Sequence, residues 1–321
     1  MAPSPTGALH LGNARSFLIA WLSVRAQGGT VVLRMEDLDH PKVKQGASEQ
    51  ALEDLRWLGL DWDEGSDVGG PHVPYTQSGR SENYRTALDR LLEQNLAYPC
   101  TCSRKDVESA QSAPHAGEGD IRYPGMCRER WISYKEAATI LTPPRIPAWR
   151  FRTPVGETSF DDAFWGEQRQ DVWETVGDFV LGRHPDGAGY MLAVVVDDAA
   201  MGITEVIRGD DLMTPTHRQL LLYKSLDLPI PSFAHVPLVI GEDGRRLAKR
   251  HGDTRIAALR EQGESARKTL GLLAWWCGWA EWGEELSAGE LIDRYDLSSI
   301  PREPVVLTER VKEYLGVGAL K

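Results

Sequence analysis

The chain has 321 residues, of which 41% are hydrophobic and 26% charged, and its formal net charge is −11. That length is enough for one large or two ordinary domains with a hydrophobic core. The acidic balance argues against indiscriminate binding of nucleic acid, because phosphate backbones attract clustered cations. No apolar stretch approaches the roughly 20 residues of a membrane span, and we see no secretory signal. We therefore expect a soluble, cytoplasmic protein with no membrane partner.

The first hundred residues alternate between helical and strand patterns, which is typical of the βαβ units of a doubly wound parallel sheet. Apolar residues recur at helical spacing after the loop Pro3–Gly12, and Gly28 ends that helix. Thr30–Leu33 is predicted to be a short buried strand, and the acidic loop Arg34–Asp39 follows it. Two further helices are predicted around Leu52–Leu58 and Tyr84–Leu92.

Residues 98–189 have an irregular pattern, and we interpret them as an insertion between two halves of an α/β catalytic domain at 1–97 and 190–240. Residues 241–321 are predicted to hold a basic loop and a helical C-terminal region, in which Leu272–Trp282 is a packed core segment rather than a surface for stacking bases. The elements predicted for the second half are strands at Tyr190–Val196 and Ile203–Ile207, a helix at Thr216–Leu226 and a strand at Val236–Ile240.

The loop Pro3–Gly12 opens the first predicted helix, where free backbone N–H groups and the helix dipole favour an anion. Gly12 permits the close approach of a phosphate or an adenine, and His10 and Asn13 can donate hydrogen bonds to it. By composition alone, a Pro/Gly loop that merely caps a helix is the more common interpretation.

A second segment, Arg246–Arg250, follows a predicted strand and the glycine-containing stretch 241–244. A flexible loop that carries a lysine can place its cation on a polyphosphate and stabilise the charge that develops there. By itself, such a short run is more often a solvated basic turn.

Together, in this order and about 235 residues apart, the two segments resemble the HIGH and KMSKS signatures of class I aminoacyl-tRNA synthetases. The blocks PSPTGALHLGNARSFLIAWLSVRAQGG, LRMEDLD and VVVDDAAMGITEVIRGDDL resemble the glutamyl branch in particular. The resemblance implies that His10, Asn13 and Lys249 are catalytic, with Lys249 stabilising the attack of a carboxylate on the α-phosphate of ATP, which carries Mg²⁺. The residues that it assigns to ATP are His10, Gly12, Asn13, Arg246, Leu247, Ala248, Lys249 and Arg250.

The same resemblance implies a glutamate pocket, in which Glu36 binds the ammonium group. An exposed acidic turn is the alternative for Glu36, but its place at the end of a predicted strand favours a ligand site. The other residues assigned to this pocket are Ala2, Pro3, Ser4, Tyr190 and Arg208.

Two departures from the glutamyl pattern concern this pocket and the basic loop. The synthetases carry an arginine two residues before their Ala-Pro-Ser-Pro stretch, whereas here Met1 directly precedes Ala2. We expect the natural start to lie upstream. In the basic loop, Arg246 replaces a lysine and Ala248 replaces a serine, so nucleotide affinity is expected to be lower.

Three of the four cysteines, Cys100, Cys102 and Cys127, lie close together, which fits a metal site better than a disulfide framework. Thiolates suit a four-coordinate structural zinc; reduced thiols without a metal are the alternative. The resemblance implies a C-x-C…Y-x-x-x-C zinc site with Tyr123 as fourth ligand, which we rank above His115. The remote Cys277 is interpreted as a buried small hydrophobe.

Full glutamyl-tRNA synthetases continue into a helical domain that binds the anticodon, whereas few residues follow the basic loop here. A catalytic half of this kind resembles the glutamyl-Q tRNA(Asp) synthetases. That resemblance implies activation of L-glutamate and its transfer to queuosine in the anticodon loop of tRNA(Asp), by a monomer. Two alternatives stay open: a truncated glutamyl-tRNA synthetase that charges the tRNA 3′ end, and a non-catalytic paralogue that binds glutamate or tRNA.

Overall fold

The structure is a computed structural model that describes residues 1–38, 43–110, 122–131, 133–183, 188–247 and 251–317. Within these ranges the chain forms twelve α-helices and eleven β-strands. The helices are α1 (Leu11–Ala26), α2 (Ala47–Trp57), α3 (Ser81–Glu93), α4 (Arg104–Ser109), α5 (Tyr134–Ala138), α6 (Val172–Thr175), α7 (Tyr190–Ala200), α8 (Met213–Ser225), α9 (Ile256–Glu261), α10 (Ala266–Trp275), α11 (Ala288–Ile292) and α12 (Glu309–Tyr314). The strands are β1 (Val32–Leu33), β2 (Glu64–Gly65), β3 (Ala97–Cys100), β4 (Ala148–Phe151), β5 (Glu157–Asp162), β6 (Gly166–Asp171), β7 (Val180–Gly182), β8 (Glu205–Gly209), β9 (Ser232–Val236), β10 (Val239–Gly241) and β11 (Val305–Leu307).

Parallel pairing occurs on both sides of the insertion, between β1 and β2, between β8 and β9, and between β10 and β11. A four-stranded sheet has the order β6-β5-β9-β8, in which β5 pairs with β6 antiparallel and with β9 parallel. Apart from Ala97, the antiparallel sheet β3-β4-β7 lies within residues 98–189, the predicted insertion. The α/β class expected from the sequence is confirmed, with a mixed rather than wholly parallel central sheet.

Helix α1 lies at the centre of a hydrophobic core, because it packs against β8, β10, α10 and α11. Leu11, Leu18 and Leu22 repeat at helical spacing and are fully buried on this face. Burying each leucine contributes roughly 1.5–3 kcal/mol. The helix ends where Gly28 takes a φ of 66°, the left-handed conformation that glycine adopts without a steric penalty. The first predicted helix is therefore confirmed.

The strand predicted at Tyr190–Val196 is wrong, because these residues form the first turns of α7. Every residue from Leu192 to Val196 is buried, and a continuous apolar run does not distinguish a buried helix from a buried strand. The strand predicted at Val236–Ile240 is instead divided between the end of β9 and the start of β10. Pro237 lies at the break, where it has no N–H group for a sheet ladder.

The C-terminal region is helical apart from β11, as expected. Trp276, Cys277 and Trp279 are buried in the same hydrophobic core as α1, which confirms both the packed tryptophan segment and the buried Cys277. None of the helices described combines the length and apolarity needed to cross a membrane. The boundaries proposed at residues 97/98, 189/190 and 240/241 stay predictions.

Candidate functional site

A cavity of about 1040 Å³ lies between the residues that follow β1, the end of β8 and the first turn of α1. Ligands of α/β proteins gather at the carboxyl ends of strands, and cavities of this size hold small molecules. Many of the residues predicted from the sequence line this cavity: Ala2, Ser4, His10, Gly12, Asn13, Glu36, Tyr190, Arg208 and Arg246. The structure therefore brings together residues from four distant parts of the chain.

Two predicted residues lie beside the cavity rather than on its wall. Pro3 is buried, and its carbonyl accepts a 3.0 Å hydrogen bond from the backbone N–H of Glu36. Leu247 is only 7% exposed and belongs to the hydrophobic core. Ala248, Lys249 and Arg250 lie outside the described residues, so their assignment to ATP stays a prediction.

His10 caps the amino end of α1, since its Nδ1 accepts hydrogen bonds from the backbone N–H groups of Gly12 (3.1 Å) and Asn13 (3.4 Å). An accepting Nδ1 leaves the proton of the neutral ring on Nε2. Burial and the nearby Arg246 guanidinium lower the pKa of His10 to about 4. His10 is therefore neutral at physiological pH, and its Nε2–H group is the donor left for a ligand.

The same helix holds both ends of the segment that contains the basic loop. The backbone N–H of Leu11 donates to the carbonyl of Thr254 over 3.1 Å, on the far side of the loop. In the middle of α1, Nη1 of the buried Arg15 donates to the carbonyl of Pro237 over 2.7 Å, just before β10. The loop thus leaves and rejoins the core next to the helix that carries His10.

Arg246, the first basic residue of the loop, extends to the edge of the cavity. Its Nη1 lies 2.7 Å from Oδ2 of Asp211, which also lines the cavity. Sequence reasoning did not identify Asp211 as a partner, although it belongs to the RGDDL block. This ion pair is partly exposed, so a stronger anion can displace the carboxylate from the guanidinium.

Arg34 is a buried cavity residue that the sequence interpretation missed. Its guanidinium lies 2.7 Å from Asp198, 3.3 Å from Glu36 and 3.7 Å from Asp197. These carboxylates neutralise the arginine within the protein. Burial raises the pKa of Glu36, and the Arg34 guanidinium opposes that shift. The paired aspartates in the apolar run VVVDDAA were a usable signal, because buried carboxylates require a partner.

Arg208 also lines the cavity, but its hydrogen-bond acceptors are neutral. Its Nε donates to Nε2 of His235 over 3.1 Å, and its Nη2 donates to Thr216 Oγ1 and Gln219 Oε1, both at 2.7 Å. In the part of the chain that the structure describes, no carboxylate forms an ion pair with Arg208. Its positive charge is therefore left for an anionic ligand in the cavity.

The three predicted zinc cysteines converge in the insertion. The sulfur atoms of Cys100, Cys102 and Cys127 all lie within 4.8 Å of one another, and tetrahedral zinc places its sulfur ligands about 3.8 Å apart. The hydroxyl of Tyr123 lies 3.4 Å from Cys100 Sγ and 3.8 Å from Cys102 Sγ. Nε of Arg150 donates a hydrogen bond to Cys100 Sγ over 3.2 Å. The donor set fits zinc, whereas His115 lies outside the described residues.

Comparison with known proteins shows four similarities. Residues 1–303 match the family described as tRNA synthetases class I (E and Q), catalytic domain. A glutamyl-Q tRNA(Asp) synthetase of Symbiobacterium thermophilum is 49% identical over 306 residues, which cover 95% of this chain and 94% of that protein. A glutamate–tRNA ligase of a Sulfurihydrogenibium species is 40% identical over 308 residues, covering 95% of this chain but 63% of the ligase. The crystal structure of a glutamate tRNA ligase from Elizabethkingia meningosepticum, in complex with its amino acid, has a TM-score of 0.81 at 27% identity and covers 98% of this chain and 67% of that one.

Proposed function

This chain belongs to the class I tRNA synthetases of the glutamate and glutamine (E and Q) type, and from this premise we propose that it activates L-glutamate with ATP and transfers it to queuosine in the anticodon loop of tRNA(Asp). One observation carries the proposal. Glu36 and Arg208 line the same cavity as His10 and Asn13. A single cavity thus offers groups for a charged amino acid and groups for a nucleotide.

The charges around the cavity suit glutamate, which carries one ammonium and two carboxylate groups. Glu36 is the carboxylate proposed to bind the ammonium, and Arg208 supplies an uncompensated cation for a carboxylate. Burial raises the pKa of Tyr190 to about 12, so its hydroxyl stays protonated at neutral pH and can donate a hydrogen bond. Ala2, Pro3 and Ser4 complete the proposed pocket through the segment that runs beside β1.

Activation requires the α-carboxylate of glutamate to attack the α-phosphorus of ATP, so that a P–O bond forms and pyrophosphate leaves. Such a reaction depends on positioning and on charge stabilisation rather than on covalent catalysis by the protein. His10, Gly12 and Asn13 would hold phosphates at the amino end of α1, where the helix dipole favours negative charge. Arg246 and Lys249 would stabilise the charge on the leaving pyrophosphate. The nucleotide would bring Mg²⁺ with it.

The choice of acceptor is supported by the relatives. Identity is 49% to the glutamyl-Q tRNA(Asp) synthetase and 40% to the glutamate–tRNA ligase. In the proposed second step, queuosine attacks the carbonyl carbon of glutamyl-adenylate and AMP leaves. Charging of the tRNA 3′ end is the second candidate, because the 40% identical ligase covers 95% of this chain.

Glutamate-dependent exchange of labelled pyrophosphate into ATP, with no tRNA present, tests the activation step. We expect exchange with glutamate and little with aspartate or glutamine. Transfer is then measured with labelled glutamate on tRNA(Asp) that contains queuosine, on the same tRNA without the modification, and on tRNA(Asp) that lacks its terminal adenosine. Labelling that needs queuosine and survives loss of the terminal adenosine supports the proposal. Labelling that needs the terminal adenosine supports the ligase instead, and a protein that shows neither exchange with any amino acid nor labelling of any of these tRNAs supports a binding protein.

Zinc in the insertion is part of the proposal as a structural ion. Cys100, Cys102, Tyr123 and Cys127 would hold it, with the thiolates supplying most of the binding. The adenylate chemistry proposed above assigns no step to this ion. A tRNA substrate is consistent with a cytoplasmic enzyme, and a monomer remains our expectation.

A further inference from the structure

The side chain of His235 joins two charged residues that sequence analysis did not connect. His235 and Asp162 are both fully buried, and Nδ1 of the histidine lies 2.6 Å from Oδ2 of the aspartate. On its other edge, Nε2 accepts the hydrogen bond from Nε of Arg208. Asp162 is on β5, His235 on β9 and Arg208 on β8, so the chain of contacts crosses three neighbouring strands.

The positions of the protons in this series of hydrogen bonds can be assigned from the number of donors that each group has. Arginine nitrogens only donate, so Nε2 of His235 must present a lone pair to Arg208. The ring proton therefore resides on Nδ1 and is donated to Asp162. Oδ1 of Asp162 also accepts from the backbone N–H groups of Phe164 (3.0 Å) and Trp165 (2.9 Å). Burial alone would raise the pKa of Asp162, but the hydrogen bonds from His235 and from the backbone outweigh it and lower that pKa.

We propose that His235 and Asp162 are positioning residues that fix Arg208 in the orientation in which it binds a carboxylate of the amino-acid substrate. The proposal rests on the proposed function and deepens it. Nε and Nη2 of Arg208 are engaged inside the protein, and no described residue accepts a hydrogen bond from Nη1. An arginine held in this way loses little side-chain entropy when a ligand binds.

The hydrogen-bond acceptor of Arg208 Nε is a histidine, and its chemistry explains why it serves better than a carboxylate at this position. A carboxylate in contact with Arg208 would hold it equally well but would neutralise its charge, as Asp198 neutralises Arg34. The neutral imidazole fixes the guanidinium and keeps the negative charge of Asp162 one residue away. Arg208 therefore keeps its charge for the substrate, which points to a substrate that brings its own carboxylate.

Two substitutions at His235 separate positioning from folding. In His235→Asn the amide N–H can still donate to Asp162, but the side chain is too short to offer an acceptor to Arg208. In His235→Gln the longer side chain can place its carbonyl oxygen near the position of Nε2 and restore that acceptor. His217→Asn is the matched control. His217 is also buried, with 3% of its surface exposed, and like His235 it packs on Phe160. Its hydrogen-bond partner, however, is Thr158.

Pyrophosphate exchange gives the KM of glutamate and of ATP for each variant. Loss of one hydrogen bond to a charged group predicts a rise of about tenfold in the glutamate KM of His235→Asn. We expect His235→Gln to stay within about threefold of the wild type and His217→Asn within about twofold, with the ATP KM unchanged in all three. In the folded wild type, ¹⁵N NMR should show an unprotonated Nε2 and a protonated Nδ1 at His235.

Each contrary result has a distinct meaning. If the wild type is active and His235→Asn changes the glutamate KM no more than His217→Asn does, His235 has no positioning role. A protonated Nε2 in the wild-type spectrum also overturns the proposal, even if a variant fails to fold. If the wild type shows no glutamate-dependent exchange, the proposed function is wrong, and so is the assignment of a substrate carboxylate to Arg208.

Discussion

Arg34 and Asp198 are separated by 164 residues in sequence, yet Nη1 of the arginine lies 2.7 Å from Oδ1 of the aspartate. Both side chains are only 6% exposed. The pair joins the segment after β1 to α7, and so connects the two segments that we propose as the halves of the catalytic domain. Because Asp197 and Glu36 lie against the same guanidinium, the arginine balances several buried carboxylates.

Arg34→Met should therefore destabilise the protein strongly. Removing the cation leaves Asp198 and its neighbours buried without a counter-charge, which costs about 3–5 kcal/mol in the free energy of unfolding. Urea unfolding followed by circular dichroism measures the change. Arg169→Ala is the control, since its ion pairs with Glu157 and Glu167 are largely exposed and should contribute less than about 1 kcal/mol. Equal losses in both variants would contradict this account of Arg34.

Lys249→Ala should slow pyrophosphate exchange by about 10²- to 10³-fold, because the lysine is proposed to stabilise charge that develops only in the transition state. The glutamate KM should stay close to the wild-type value, since the lysine is assigned to the nucleotide. Arg245→Ala provides the control, as this exposed residue directly precedes the basic segment and does not line the cavity. Exchange that is unaffected by Lys249→Ala would remove the lysine from the mechanism.

Zinc binding is predicted to depend on the cysteine cluster and not on the fourth cysteine. Cys127→Ala should abolish bound zinc and lower the unfolding midpoint by about 5–10 °C, because structural zinc binding is coupled to folding. Elemental analysis of the purified protein, together with thermal unfolding, measures both effects. Cys277→Ala should retain the metal, since Cys277 is buried in the core around α1. Zinc-free wild-type protein with an unchanged midpoint would show that the thiols are structural without a metal.

Asp54 is predicted to make stability depend on pH. It is fully buried on α2, and burial raises its pKa from 3.8 to about 6. Between pH 4 and pH 6 the unfolded chain loses this proton while the folded protein keeps it, so the folded state is progressively disfavoured as the pH rises. Asp54→Asn should therefore be more stable than the wild type by about 1–2 kcal/mol at pH 8, with no gain at pH 4.

Unfolding of Asp54→Asn at several pH values checks this expectation. Glu53→Gln is the neighbouring control, because the side chain of Glu53 is 61% exposed and its loss should change stability by less than about 0.5 kcal/mol. A stability difference that does not vary with pH would mean that Asp54 has the same pKa in the folded and in the unfolded protein.

Much of the cavity could be predicted from the sequence because its residues lie in ordered blocks. His10, Asn13 and Glu36 belong to short motifs at the start of a helix and at the end of a strand, where position follows from local structure. The cluster of cysteines could be predicted equally well, because two thiols that are two residues apart at the end of a strand can face the same ion.

Other parts depend on contacts that no local pattern reveals. The helix α7 was mistaken for a strand because every residue from Leu192 to Val196 is buried, which removes the amphipathic signal of a helix. The contact of Asp162 with His235 joins residues 73 positions apart through strand pairing, and the sequence does not specify which strands become neighbours. Arg34 was missed because its role follows from which carboxylates surround it.

The hairpin of β5 and β6 has a practical consequence for chimaeric enzymes. Its residues fall between 98 and 189, yet β5 pairs with β9 and contributes Asp162 to the histidine behind Arg208. An exchange of the whole 98–189 segment with a relative would replace the support of Arg208 together with the zinc-binding part. Swaps designed to alter nucleic-acid preference alone should therefore end before Glu157 and keep the hairpin of the recipient.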